Sequence, residues 1–254
     1  MARSERSPSL ITISEERGVR FLHFGSPWVQ GAMRIARPWA LELEYTRELM
    51  APLLFRGPEW PRRVLQVGLG AGSITKFLHR HRPEAKVTVV EIDPEVVTAA
   101  RLHFRLPDTG PTLRITLGDG AEHVAAKDRA YDLIVADGYD EKGRAGMLDS
   151  EPFYANCLRR LAPGGMLSVN LLTRTRGVKA SVDRLRKAFD DRVLVLAPSE
   201  AGNTVAIASA SERIDESFAD LRKSAAWLKT TTGLDLAATV ARLERSRGGE
   251  RIAP

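Results

Sequence analysis

Three glycines, Gly68, Gly70 and Gly72, close an apolar run that begins at Val64, and a helical pattern starts directly after them at Ser73. Glycines at such a junction permit a tight turn and let a ligand approach the backbone, while the helix start offers oriented N–H groups. The spacing is G-x-G-x-G, whereas dinucleotide enzymes usually show G-x-G-x-x-G. Glu91 lies about 20 residues further on, at the end of the next apolar run, where an acid meets ribose hydroxyls. A carboxylate can accept both hydrogen bonds of a vicinal diol. The plain alternative for Glu91 is a solvent-facing acid at a strand end. Asp119, in Gly118-Asp119-Gly120, can accept from an adenine amino group, or cap the helix that follows, or do both. Gln66 ahead of the loop, Ile92 after the acid and Gly120 beside Asp119 complete the candidate nucleoside contacts. Asp93, just before Pro94, reads mainly as a helix cap. The glycine loop carries no Lys or Arg to hold a phosphate. A nucleoside without phosphates therefore fits better than NAD or ATP, and S-adenosylmethionine is the expected co-substrate.

These residues need a sheet edge to bring them together, and the chain supplies one. Strands are expected at 64–67, 86–90, 113–117, 131–136, 166–172, 193–196 and 204–208. Helices are expected at 73–81, 94–104, 121–126, 151–161 and 177–189. Strands alternating with helices at this spacing imply parallel βαβ units, and the last two strands are close enough to pair antiparallel. The fold class is α/β, a Rossmann-like domain over about 62–210. Ahead of it, residues 1–61 read as strands at 10–14, 19–24 and 29–34. A helix follows over 39–55, with Leu41, Tyr45, Leu49 and Leu53 on one face. After it, 211–254 reads as two polar helices around Gly233 with a frayed tail over 246–254. The N-terminal strands have edges that must be covered. They either pair with a second copy in a homodimer or pack over the pocket.

Composition excludes several classes. The net charge of +6 over 254 residues comes from arginines scattered among acids along helices. That pattern describes solvated faces and not a nucleic-acid surface. No apolar run reaches the roughly 20 residues that a membrane span needs. The polar start MARSERSPS lacks a signal-peptide core, so the expected compartment is the cytoplasm. A single cysteine, Cys157, leaves no intrachain disulfide and reads as a half-buried helix residue. His23, His79, His81, His103 and His123 show no ligand spacing, so no metal is expected.

The runs VLQVGLGAGSITKFLHR, VTVVEIDPEVV, GDGAEHV, YDLIVADGYD and EPFYANCLRRLAPGGML together resemble the spermidine synthase (polyamine aminopropyltransferase) family. The resemblance covers about 62–172, with a fainter echo at 28–33 and 43–47. It implies transfer of an aminopropyl group from decarboxylated S-adenosylmethionine to a small amine such as putrescine. Asp137 matches the family's catalytic aspartate. Asp140 matches the second acid of D-x-x-D and would steady the acceptor's cationic nitrogen. Gln30 and Tyr45 match the acceptor-side Gln and Tyr, and Glu141 and Glu44 would add to an acid-lined pocket. Two departures stand out: Ala71 replaces the loop Asp that grips the donor amine, and Glu141 replaces a Pro. They keep open an S-adenosylmethionine-dependent small-molecule methyltransferase, or a non-catalytic nucleoside-binding relative.

Overall fold

The computed structural model describes residues 10–25, 28–126, 130–140, 142–172, 177–199, 202–248 and 252. Two sheets organise them. An antiparallel meander of β1 (Ile11–Glu16), β2 (Val19–Phe24) and β3 (Val29–Arg34) precedes a seven-stranded sheet. That sheet contains β4 (Arg63–Val67), β5 (Lys86–Glu91), β6 (Leu113–Leu117), β7 (Tyr131–Ala136), β8 (Leu161–Leu172), β9 (Val193–Val195) and β10 (Asn203–Ser209). Its order is β6-β5-β4-β7-β8-β10-β9, with β10 antiparallel to both neighbours. The remaining ladders, β4 with β5 and β7, β5 with β6 and β7 with β8, are parallel. The chain leaves β4 toward β5 and β6, then returns to place β7 on the other side. The order therefore reverses between β4 and β7, and ligands bind at the carboxyl ends of strands at such a switch point.

The helices are α1 (Glu44–Leu49), α2 (Ser73–His81), α3 (Pro94–His103), α4 (Gly120–Ala125), α5 (Glu151–Arg160), α6 (Lys179–Phe189), α7 (Phe218–Thr232) and α8 (Ala237–Arg247). They bury both faces of the sheet. Leu133, Val135, Val205 and Ile207 pack on one face with Leu49, Phe77, Leu221 and Leu228. Ile134, Leu167, Val169 and Ala206 pack on the other with Phe153, Tyr154 and Leu185. Double coverage explains the nearly continuous apolar reading of the central strands. A third, smaller cluster of Leu22, Met33, Ala71, Ala99 and Phe104 seats the meander on the glycine loop and α3.

Most expected elements recur within a residue or two. One differs in kind. The helix expected over 39–55 is broken into α1 and a 3₁₀ turn, Ala51–Phe55. Pro52 is the reason, because it has no N–H for the carbonyl four residues back and its ring crowds that carbonyl. Upstream, 36–40 is irregular. Cys157 is fully buried, not half-buried, and burial pushes its thiol pKa up. Gly233 ends α7 in the left-handed conformation, where the sequence puts the break between the last two helices. Residues 249–251 and 253–254 of the expected tail, and Glu141, lie outside the described residues. Among the described residues no helix is long and apolar enough to cross a membrane, and no group of three His, Cys, Asp or Glu could hold a metal ion.

Candidate active site

The glycine loop and Asp137 meet at the switch point. The Asp137 N–H donates to the Val67 carbonyl at 2.9 Å, and the Gly68 N–H donates to the Val90 carbonyl at 2.9 Å. Gly68 has φ of +89°, and a Cβ placed on it would lie 2.1 Å from the Asp137 carbonyl oxygen. Only glycine fits there, for conformation and for space. A Cβ on Gly120 would lie 2.3 Å from Val67 Cγ1, so the third loop closes on the same strand end.

Glu91 is buried at the carboxyl end of β5. Its Oε2 accepts from the Leu69 N–H at 2.8 Å, and its Oε1 accepts from the N–H groups of Ile92 and Asp93 at 2.8 and 2.9 Å. The carboxylate thus pins the glycine loop to its own turn, with lone pairs on Oε2 to spare. Burial raises its pKa, and the three backbone donors pull the other way. Gln66 lies under the loop. Its Nε2 donates to the Gly68 carbonyl at 2.7 Å and its Oε1 accepts from the Thr75 hydroxyl at 2.8 Å, so it shapes the turn from inside the protein. Asp119 caps α4, accepting from the N–H groups of Ala121 and Glu122. Asp93 caps α3 in the same way through the Glu95 N–H. Ile92 is exposed at the end of β5, and Leu117, which the sequence reading passed over, is exposed at the end of β6.

Asp137 follows β7 and is partly buried. Its Oδ1 accepts from Asn170 Nδ2 at 2.9 Å, and the Tyr45 hydroxyl donates to its carboxylate. Desolvation is the largest influence and raises its pKa above the usual carboxylate value, while the two donors counter it. Tyr45 responds in kind: burial and the neighbouring carboxylate hold its phenol well above the ordinary value. Gln30 lies on β3 over the glycine loop, with its carbonyl 3.5 Å from where a Cβ on Gly70 would stand. The structure therefore brings the expected acceptor-side residues to the expected donor loop.

Asp140 is differently occupied. Its Oδ1 accepts from the N–H groups of Lys142 and Arg144, both at 2.9 Å, and its Oδ2 takes an ion pair from Arg144 at 2.8 Å. Those hydrogen bonds and the Arg144 charge outweigh desolvation and hold its pKa below the usual value. Glu44 is also engaged, accepting from Arg242 Nη1 at 2.6 Å. Ala71 faces the meander, where a Cβ on Gly31 would come within 2.7 Å of its own. A cavity of about 700 Å³ is lined by Arg34, Glu44, Arg47, Asp235 and Thr239, and Glu44 is the one predicted pocket residue among them. It lies on the α1–α8 side, away from the glycine loop and Asp137.

The sequence reading missed Asn170, Tyr139 and Asn203. Tyr139 donates its hydroxyl to the Asn170 carbonyl, and Asn203 Nδ2 donates to Asn170 Oδ1 at 3.0 Å. An amide inside the apolar strand 166–172 was the available signal, since a buried amide needs partners.

The spermine/spermidine synthase domain model matches residues 42–216. The polyamine aminopropyltransferase of Neisseria meningitidis is 34% identical over 236 residues, 93% of this chain and 89% of that one. That of Chromobacterium violaceum is 33% identical, covering 93% and 90%. In fold, a probable spermidine synthase from Corynebacterium glutamicum aligns with a TM-score of 0.68 at 21% identity, covering 89% and 92% of the two chains. Human methyltransferase-like protein 13 in complex with SAH aligns at 0.67 and 24% identity, over 75% and 93%. A sheet with this switch point, a glycine loop closed on an aspartate, and relatives that are transferases over nearly the whole length agree: the chain belongs to the spermine/spermidine synthase family of transferases.

Proposed function

We propose that the protein transfers an aminopropyl group from decarboxylated S-adenosylmethionine to a small di- or polyamine such as putrescine. The observation that carries this reading is Asp137: a partly buried carboxylate of raised basicity, touching the nucleoside loop on one side and Tyr45 on the other. The donor's adenosine would lie between the glycine loop and Asp119, with its ribose hydroxyls toward Glu91 and its base against Ile92 and Leu117.

The acceptor must attack as a free amine. An alkylammonium has a pKa of about 10, so it has to lose a proton in the site. Asp137 accepts that proton while the nitrogen lone pair attacks the methylene carbon next to the sulfonium. One C–N bond forms, one C–S bond breaks, and the electron pair stays on sulfur. The products are the alkylated amine and neutral methylthioadenosine. Displacement of a neutral sulfide needs no acid on the leaving side, which suits a crevice with one well-placed base. Asp140 would hold the far ammonium of the acceptor once its tie to Arg144 is released. Asp137→Asn separates these roles, because it removes the base and leaves the loop.

A second reading is methyl transfer from S-adenosylmethionine, and Ala71 favours it. The acid that the resemblance implies there is absent and Ala71 is buried against the meander, so position 71 supplies neither an anchor for the donor's amine nor repulsion to a donor carboxylate. The two readings differ in the nucleoside released. Mass spectrometry of reactions containing both donors and a panel of amines should find methylthioadenosine and an amine heavier by one aminopropyl group. S-adenosylhomocysteine with a methylated amine would replace the first reading by the second. Neither product, with nucleoside still bound, would make the chain a binding relative.

A further inference from the structure

Asn170 and Asn203 are buried in neighbouring strands of the main sheet. The antiparallel register sets Val205 opposite Asn170 and Leu172 opposite Asn203. The two amides are therefore diagonal neighbours on one face, within reach of each other. Asn203 is clamped first. Its N–H donates to Ser199 Oγ at 3.2 Å, and its carbonyl accepts from the Ser199 N–H at 2.8 Å. Asn203 Nδ2 then donates to Asn170 Oδ1 at 3.0 Å, and Asn170 Nδ2 donates to Asp137 Oδ1 at 2.9 Å.

The chain of amides has one permitted direction. Rotating the Asn170 amide by half a turn would aim its oxygen at a carboxylate oxygen and its NH₂ at the NH₂ of Asn203. Both hydrogen bonds would be lost, inside the protein, where unpaired polar groups are costly. We propose that Asn203 and Asn170 form a two-amide relay that holds the Asp137 carboxylate in one orientation, with Oδ1 tied to the sheet and a lone pair left beside the Tyr45 hydroxyl to take the proton. Asn170 and Asn203 are then positioning residues. Their part in catalysis rests on the proposed aminopropyl transfer, whereas the relay itself does not.

The test reads Asp137 directly. Carbon-13 NMR of protein labelled at aspartate carboxyls follows its titration, the resonance being assigned by its loss in Asp137→Asn. Asn170→Leu should raise the Asp137 midpoint by about one pH unit, the size of one hydrogen bond to a charged group. Asn203→Leu, which leaves the Asn170 donor in place but unsteered, should raise it by less. In steady state Asn170→Leu should lower kcat about tenfold, with nucleoside affinity changed less than about twofold, since a misdirected base affects the transition state alone. Thermal melts confirm folding, and Asn203→Ala replaces Asn203→Leu if the larger side chain does not fold. Folded variants whose Asp137 titrates as in the wild type would overturn the relay. A shifted midpoint in an enzyme that makes no methylthioadenosine would uphold the relay and remove the aminopropyl reading.

Discussion

A carboxylate that takes a proton from an ammonium needs enough burial to be basic and enough donors to stay ionised. Asp137 has both, through its position after β7 and through Asn170 and Tyr45. Replacing it by Asn should lower kcat/KM by at least about 100-fold, the usual scale for a lost general base, with little change in nucleoside affinity. Because its pKa lies above the ordinary carboxylate value, the acid limb of the wild-type kcat/KM profile should also lie above that value. Activity falls as pH drops through this limb, since the protonated form cannot act as base. Tyr45→Phe removes a donor from the ionised form, so the limb should move to still higher pH; a limb unmoved in that variant would detach Tyr45 from Asp137. The sequence revealed Asp137, Tyr45 and Gln30 only through the resemblance, because an acid at the end of a strand is ordinary by itself. Asn170 and Asn203 stayed hidden for another reason. Their partners lie 33 positions away across the sheet, and no spacing rule reaches that far.

The element that presents Tyr45 is α1, a helix of six residues with no side-chain cap. A helix that short is held by its packing and not by its own hydrogen bonds. The C-terminal helix α8 provides the hold: Arg242 binds both Glu44 and Glu48, and Glu48 is fully buried. Removing the arginine strands a buried acid, so Arg242→Ala should cost about 3 kcal/mol in chemical denaturation. Glu48→Leu in the same background should recover part of that loss; no recovery would mean that the ion pair is not what anchors α1. The glycine loop is similarly constrained. Ala71 is buried against Gly31 and the apolar cluster under the meander. Ala71→Asp should therefore lose at least about 2 kcal/mol by burying an unpaired charge, without tightening the decarboxylated donor. A gain in that donor's affinity would show that position 71 reaches the crevice. At this scale the sequence was most legible where local chemistry decides. The caps Asp93 and Asp119 and the break at Gly233 stand as read. It was least legible around α1, where four-residue apolar spacing suggested a long helix and Pro52 cut it.

At the scale of the molecule, one sheet reversal brings the carboxyl ends of β4, β5, β6 and β7, with the glycine loop, Glu91, Asp119 and Asp137, to one edge of the sheet, and the meander lies over the glycine loop. The alternation of strands and helices made that architecture readable, since parallel strands with two covered faces leave a plain apolar signature. Strand order and the docking of the meander depend on contacts far apart in the chain and had to come from the fold. Recognition of an adenosyl sulfonium through the loop backbone and Glu91 underlies the proposed function. Calorimetric titration of methylthioadenosine, decarboxylated S-adenosylmethionine and S-adenosylmethionine into the wild type and Glu91→Gln tests this most directly. The wild type should bind the first two more tightly than the third, and Glu91→Gln should weaken all three. Tightest binding of S-adenosylmethionine, or no heat with any of the three, would contradict it.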